Sequence, residues 1–161
     1  MSDKVYNVLF LCAENSARSI MAEAILQRWG KNRFRAFSAG ISPLGQVHPL
    51  AEELLKLDDL WTEDLRSKGV DEFRAPAAPQ MDFVIALCDR RAEVCPVWPG
   101  GFISATWGIS DPAGVTGTIV ERKHAFRRAF RELENRIRLF VLLRHEKFEP
   151  TAQTAQQGMA V

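Results

Sequence analysis

The sequence is short of cysteine, and it has no long apolar run. Only three of its 161 residues are cysteine, an odd number that is too small for a disulfide scaffold. No apolar run approaches the ~20 residues that a membrane-spanning helix needs, and residues 1–4 lead into the first apolar run without a signal-peptide cleavage pattern. We therefore expect a cytoplasmic protein, with no membrane partner, whose thiols begin reduced. Any cysteine chemistry should then be catalytic or redox chemistry.

The sequence also lacks an excess of charge of either sign. Its 21 Lys and Arg residues against 20 Asp and Glu residues leave a net charge of +1, which is too little to bind nucleic acid through bulk charge. The three histidines, His48, His124 and His145, have no metal-ligand spacing with the cysteines. We expect no nucleic-acid partner, no metal and no organic cofactor.

The composition and the apolar pattern predict one α/β domain. Apolar residues make up 47% of the chain and charged residues 25%, an ordinary mixture for a folded domain. Apolar runs typical of buried parallel strands alternate with helical stripes. The pattern indicates a three-layer α/β/α fold around a mostly parallel four-stranded sheet, with a single domain over 1–149 and a flexible tail over 150–161. Strands are predicted at 5–11, 34–38, 81–87 and, more weakly, 102–107, and helices at 20–29, 49–60 and 118–147.

The loop between the first strand and the first helix carries the strongest functional signal. Cys12 ends the strand, and Arg18 and Ser19 follow after five intervening residues. A loop at this place directs several backbone N–H groups into one concavity, where the helix dipole adds positive potential and favours an anion. The same field stabilises a thiolate. Arg18 can bind two oxygens of a tetrahedral oxyanion with its planar guanidinium, and Ser19 can cap the helix or hydrogen-bond the thiolate.

Each part of this pattern has a simpler explanation on its own. A single cysteine at the end of an apolar strand is commonly a small buried residue, and Arg-Ser pairs are frequent at helix starts. The position of Cys12 and Arg18 between a buried strand and a helix is what favours a catalytic role. The loop lacks the G-x-x-x-x-G-K-[ST] pattern of a nucleotide-binding loop.

Six segments are distinctive: V-L-F-L-C-A-E-N-S-A-R-S-I-M-A-E-A at 8–24, F-S-A-G at 37–40, L-R-S-K-G-V-D-E-F at 65–73, A-L-C at 86–88, C-P-V-W at 95–98 and W-G-I-S-D-P-A at 107–113. The loop in the first segment and the W-G-x-x-D-P-A pattern in the last form a specific combination. Together they resemble the low-molecular-weight protein tyrosine phosphatase superfamily and, within it, the phosphatase-like arsenate reductases. The resemblance implies a phosphatase-like fold, with Cys12 as nucleophile, Arg18 and loop amides as oxyanion ligands, and Asp111 as general acid. Asp-Pro is also a plain turn signal. The implied oxyanion-binding loop comprises Ala13, Glu14, Asn15 (which shapes the loop), Ser16, Ala17, Arg18 and Ser19.

The other two cysteines bear on which activity is present. Cys88 follows a buried strand, and Cys95 comes seven residues later. The carboxyl ends of parallel strands meet at one edge of the sheet, so Cys88 can reach Cys12, and Cys95 can reach Cys88 if the segment between them moves. In the reductases that the sequence resembles, the second cysteine attacks the first, and a third passes the disulfide to thioredoxin or to glutaredoxin with glutathione. Both residues can instead be buried apolar side chains, or Cys95 can cap the loop before Pro96.

The resemblance leads to a predicted reduction of arsenate to arsenite by thiolate attack and a thiol–disulfide relay, with arsenate or phosphate as the bound oxyanion. The alternative is a low-molecular-weight phosphatase that hydrolyses phosphate monoesters through a cysteinyl-phosphate. Such phosphatases usually follow Asp-Pro with tyrosines, whereas Ala113 and Gly114 follow here and Tyr6 is the only tyrosine. A third alternative is an oxyanion-binding protein without turnover.

Overall fold

The computed structural model describes residues 4–95, 97–98 and 105–143. The start of the weakest predicted strand (102–104), the end of the last predicted helix (144–147), the predicted domain boundary at 149 and the predicted tail (150–161) lie outside these ranges. Two 3-10 turns lie at Val70–Phe73 and Pro112–Gly114. The strands are β1 (Tyr6–Cys12), β2 (Phe34–Gly40), β3 (Phe83–Ala86) and β4 (Ala105–Thr106), and the helices are α1 (Arg18–Gly30), α2 (Pro49–Leu57) and α3 (Ile119–Leu142).

The four strands form one parallel sheet in the order β2-β1-β3-β4. Strand β1 lies inside the sheet with six of its seven residues buried, which explains why its sequence is an almost unbroken apolar run. Leu11 of β1 pairs with Ala39 of β2 and with Ala86 of β3. The carboxyl ends of these three strands therefore meet at one edge of the sheet. The predicted α/β fold with four parallel strands is confirmed.

Alternate residues of β1 face opposite sides of the sheet. Phe10 packs in the cluster that holds the buried side chains of α1, α2 and α3. Leu9 and Leu11 pack instead with Val70 and with the part-buried Phe73. The sheet is therefore covered by helices on one face and by the 3-10 turn Val70–Phe73 on the other, in the described part of the chain.

The helix boundaries follow local backbone chemistry. Helix α1 begins at Arg18, two residues earlier than predicted, and ends at Gly30, one residue later than predicted. The predicted end of the second helix at residue 60 is wrong: α2 ends at Leu57, because Asp59 takes a left-handed conformation (φ 56°) that a right-handed helix cannot continue through. Across the described ranges, every helix is too short or too polar to span a membrane.

Candidate active site

The loop that follows β1 surrounds the sulfur of Cys12 with polar groups. The backbone N–H of Asn15 donates to Cys12 Sγ at 3.2 Å, and Ser19 Oγ lies 2.8 Å from the same sulfur. Cys12 itself is almost completely buried and is a free thiol. Hydrogen-bond donors that converge on a sulfur stabilise negative charge there. The arrangement therefore surrounds the Cys12 sulfur with hydrogen-bonding groups at the carboxyl end of β1.

Asn15 holds the loop in this shape. Its φ of 48° is left-handed, a conformation that asparagine adopts more readily than most residues. Its Nδ2 donates to Ser19 Oγ at 2.7 Å, and its Oδ1 accepts from the backbone N–H of Lys68 at 2.8 Å. Because Ser19 Oγ already accepts this hydrogen bond, its own proton is available for Cys12. Of the two roles open to Ser19, the structure favours the hydrogen bond to sulfur, since no side chain caps α1.

Hydrogen bonds from neighbouring segments support the loop that follows β1. Leu44 N donates to Glu14 O at 3.1 Å, and Ser67 Oγ donates to the same oxygen at 3.3 Å. The Glu14 residue is exposed to solvent. Ser42 N donates to Ala13 O at 2.8 Å. These contacts keep the loop carbonyls occupied on the side away from Cys12.

We expect Gly40→Ala to displace this loop. A Cβ there would lie 2.8 Å from Asn15 N, 2.9 Å from Ala13 O and 2.9 Å from Glu14 C, all of them backbone atoms that must move. Overpacking of this kind should lower the free energy of unfolding in urea by about 1–3 kcal/mol. It should also weaken the binding of sulfate, an unreactive tetrahedral oxyanion, as measured by calorimetric titration. The control is Gly108→Ala, whose Cβ meets nothing within 4 Å. Unchanged sulfate affinity in folded Gly40→Ala protein would contradict this role of Gly40.

A buried ion pair lies next to the loop. Lys68 Nζ is 3.6 Å from Glu23 Oε2, and both side chains are almost completely buried. Ser38 joins them: its Oγ donates to Glu23 Oε2 at 3.1 Å and accepts from Lys68 Nζ at 3.2 Å. Burial raises the pKa of Glu23 and lowers the pKa of Lys68, and the attraction between the two charges opposes both shifts. Since the backbone of Lys68 also holds Asn15, the pair supports the loop.

We expect Lys68→Met to destabilise the protein strongly, because it leaves the Glu23 carboxylate buried without a partner. The free energy of unfolding in urea at pH 7 should fall by about 3 kcal/mol, and the double variant Glu23→Gln/Lys68→Met should recover most of the loss. The matched control is Lys56→Met, which removes an exposed ion pair with Glu52 and should cost about 0.5 kcal/mol. Equal losses of unfolding free energy in Lys68→Met and Lys56→Met would show that the buried ion pair stabilises the protein no more than an exposed one.

Arg18 is buried at the amino end of α1, with its guanidinium at the loop. Its Nη1 donates to the backbone oxygens of Ile109 at 2.9 Å and of Leu87 at 3.3 Å. Burial by itself lowers the pKa of Arg18, but the hydrogen bond to Glu93 and the charges of Asp111 and Cys12 raise it. The residue therefore supplies a fixed cation at the mouth of the loop.

Asp111 reaches the same place from the segment after β4. Its Oδ2 lies 3.8 Å from Arg18 Nη2, and its side chain is 38% exposed. Its Oδ1 accepts from Ala113 N at 3.0 Å and so caps the 3-10 turn Pro112–Gly114. The turn role of Asp-Pro is thus present, and it positions the carboxylate. Cys12, Arg18 and Asp111 line one small pocket.

The three cysteines occupy one edge of the sheet. Cys88 is buried just beyond β3, where Leu87 N donates to Leu11 O at 2.8 Å and so holds this chain beside the end of β1. Cys88 is joined to Cys95 by a disulfide with a Cα–Cα distance of 5.3 Å. We call residues 88–95 the disulfide segment. It carries the second and third cysteines to the edge where the Cys12 loop lies.

The chain is similar in sequence and in fold to known proteins. A family model described as low molecular weight phosphotyrosine protein phosphatase matches residues 7–149. The chain belongs to this family. An arsenate reductase of Halalkalibacterium halodurans is 36% identical over 144 residues, 87% of this chain and 96% of that protein. The crystal structure of an arsenate reductase from Archaeoglobus fulgidus is 30% identical with a TM-score of 0.69, covering 83% of this chain and 98% of that one. A thioredoxin-dependent arsenate reductase of Corynebacterium glutamicum is 28% identical with a TM-score of 0.56, covering 87% of this chain and 65% of that one.

In this member of the phosphatase family, Glu93 is a site residue that does not stand out in the sequence. Its carboxylate forms a two-point contact with Arg18, through Oε1 to Nη1 and through Oε2 to Nη2 at 3.0 Å. Partial burial opposes ionisation of Glu93, but hydrogen bonds from Arg18 and from Asp89 N outweigh it and hold the pKa below its usual value. Its position between two cysteines that flank the site is the signal that could have drawn attention to it.

Glu23 also escapes notice in the sequence, because an acidic residue within a helix is normally solvated. The signal available was its position: Glu23 lies among residues of α1 that are all buried from Arg18 to Leu26. A carboxylate in such a stretch requires a buried cation. Lys68 supplies that cation.

Proposed function

We propose that this protein reduces arsenate to arsenite, with Cys12 as the nucleophile and with Cys88 and Cys95 as the source of the two electrons. The observation that carries the proposal is a disulfide between Cys88 and Cys95 at the edge of the sheet where Cys12 is a free thiol. The arsenate reductases of Halalkalibacterium halodurans and Archaeoglobus fulgidus, which share this fold, support it.

The first step is attack of the Cys12 thiolate on arsenic. Arg18 and the loop amides hold the oxyanion, because a planar guanidinium can contact two of its oxygens. A bond forms between Cys12 Sγ and arsenic, and one oxygen leaves as water after it takes a proton from Asp111. The exposure of Asp111 to solvent allows the carboxylate to regain that proton from water.

The second step moves two electrons to arsenic. The Cys88 thiolate attacks Cys12 Sγ, the sulfur–arsenic bond breaks, and its electron pair stays on arsenic, which leaves as arsenite. Cys95 then attacks Cys88 Sγ, and Cys12 departs as a thiolate. The products of this sequence are a Cys88–Cys95 disulfide and a free Cys12, the same pairing that the chain has here.

The final step is reduction of the disulfide by an external thiol. We propose thioredoxin as the reductant, with glutaredoxin and glutathione as the second candidate. Cys95 is less buried than Cys88, so its sulfur is the accessible point of attack. The thioredoxin dependence of the Corynebacterium glutamicum relative supports this order. Thiols alone supply the electrons, and we propose that the reaction needs no metal or organic cofactor and takes place in the reducing cytoplasm.

The test is steady-state turnover of the purified protein with arsenate, thioredoxin, thioredoxin reductase and NADPH. We expect arsenate-dependent oxidation of NADPH with one arsenite formed per NADPH consumed. Phosphate in place of arsenate should give no oxidation. Absence of arsenite with both thioredoxin and glutaredoxin systems would overturn the proposal.

The second candidate is hydrolysis of phosphate monoesters through a cysteinyl-phosphate. The grouping of Cys12, Arg18 and Asp111 at one pocket favours it, because these three groups suffice for that chemistry and none of the relay cysteines is needed. Release of p-nitrophenol from p-nitrophenyl phosphate measures it. A phosphatase rate that exceeds arsenate turnover would make hydrolysis the main activity.

A further inference from the structure

We propose that Glu93 is an internal ligand of Arg18 that is held in place by the disulfide of its own segment. It competes there with tetrahedral oxyanions, so that the oxidised protein binds them more weakly than the reduced protein does. Glu93 takes no part in the reduction steps described above, and its role is to control when the loop can be filled.

The contact of Glu93 with Arg18 occupies the guanidinium groups that an oxyanion would use. A carboxylate that meets both Nη atoms of a guanidinium uses the same two-point geometry by which arginine holds two oxygens of a phosphate-like anion. Both oxygens of Glu93 are engaged with Arg18 in this way. The backbone oxygens of Leu87 and Ile109 take up further donor capacity of Nη1. An oxyanion that enters the loop must therefore displace Glu93 or share a guanidinium whose Nη groups are already committed.

The negative charges around Arg18 also weaken the binding of an oxyanion. The Arg18 side chain is only 4% exposed, so water screens its surroundings poorly. The Arg18 cation balances the Glu93 carboxylate. The Asp111 carboxylate, 3.8 Å from Arg18 Nη2, already adds a second negative charge. A dianionic ligand beside Glu93 and Asp111 meets repulsion from both carboxylates. Removal of Glu93 from Arg18 relieves the nearer of the two.

The disulfide segment fixes the position of Glu93. Ala92 N and Glu93 N both donate to Asp89 O, at 3.0 and 2.9 Å, and Glu93 Oε1 accepts from Asp89 N at 2.7 Å. The neighbouring Val94 is 91% exposed, so its side chain does not anchor this end of the segment. The Cys95 sulfur does, through the disulfide. Closing the segment raises the effective concentration of the carboxylate at Arg18, and reduction lowers it.

The consequence for the cycle rests on the proposed function. Cys95 bonds to Cys88 only after arsenite has left Cys12, so Glu93 reaches Arg18 at the end of the turnover. Its carboxylate then competes with phosphate or a second arsenate for Arg18 until the reductant has acted. Oxidation of the disulfide segment therefore weakens oxyanion binding in this chain.

The test is a calorimetric titration of the full-length protein with sulfate, which keeps its charge across neutral pH and does not react with thiols. Wild type and Glu93→Gln are each measured fully reduced and as the disulfide form, with thiol counts to verify both states. For wild type we expect sulfate to bind about tenfold more weakly in the disulfide form than in the reduced form. In Glu93→Gln the sulfate affinities of the reduced and disulfide forms should agree within about twofold. The disulfide form of this variant lacks the competing carboxylate, so it should bind sulfate more tightly than the wild-type disulfide form does.

Two further variants make the result decisive. Glu93→Ala cannot reach Arg18 at all and should behave like Glu93→Gln, whereas Glu134→Gln on α3 removes one negative charge elsewhere and should keep the wild-type ratio. Equal sulfate affinities in the two states of wild type would overturn the proposal, as would a wild-type ratio in both Glu93 variants. Sulfate binding requires no turnover, so failure of this proposal and failure of arsenate reduction are separate results.

Discussion

Cys12→Ser should abolish arsenate reduction and phosphate-ester hydrolysis while leaving the protein folded. A serine hydroxyl does not ionise near neutral pH. Among the described residues, the Cys12 sulfur has hydrogen bonds with Ser19 Oγ and Asn15 N, and neither group is a base that could activate the hydroxyl. Loss of an enzyme nucleophile costs on the order of 10⁴-fold or more in turnover. The measurements are steady-state rates with arsenate and with p-nitrophenyl phosphate.

The control for this variant is oxyanion binding. The loop amides, Asn15 and Arg18 are all still present in Cys12→Ser, and serine is close to cysteine in size. Reduced Cys12→Ser protein should therefore bind sulfate with nearly wild-type affinity and unfold at nearly the wild-type urea concentration. Full turnover in this variant would show that another residue is the nucleophile.

Cys88→Ser should separate the two activities. Without Cys88, the arsenate adduct on Cys12 has no internal thiol that lies at the end of a neighbouring strand, so turnover with thioredoxin should fall by about a thousandfold or more. Hydrolysis of p-nitrophenyl phosphate should stay at the wild-type rate, because Cys12, Arg18 and Asp111 are unchanged. Both rates are measured on the same reduced preparation.

The matched variant for Cys88→Ser is Cys95→Ser. It can still form the Cys12–Cys88 disulfide and release one arsenite, so it should give a single burst of product and then stop with thioredoxin. Quenched-flow measurement of arsenite distinguishes this burst from the silent Cys88→Ser protein. Equal loss of arsenate reduction and ester hydrolysis in Cys88→Ser would contradict the relay.

Most of the sheet could be predicted from the sequence, because buried parallel strands are almost wholly apolar. The run that ends at Cys12 is β1, and the run before Cys88 contains β3. The turn that covers the second face of the sheet was not predicted. Val70 and Phe73 lie in a four-residue 3-10 turn, which is too short to show a helical stripe.

The site could be predicted where a single residue marks it. Cys12, Arg18 and Asp111 were each identifiable from a short motif, and the structure brings them to one pocket. Interactions between residues distant in the chain leave no such mark. Glu23 and Lys68 are 45 positions apart in the sequence, and their pairing depends on how α1 packs beside the chain that follows β2.

Arsenate should take two electrons from the protein's own thiols, and a count of free thiols measures this transfer. Fully reduced protein is mixed with arsenate, or with phosphate as the control, and no reductant is added. We expect loss of two of the three thiols with arsenate alone, release of arsenite, and a Cys88–Cys95 disulfide with free Cys12 by mass spectrometry. Retention of all three thiols with arsenate would contradict it.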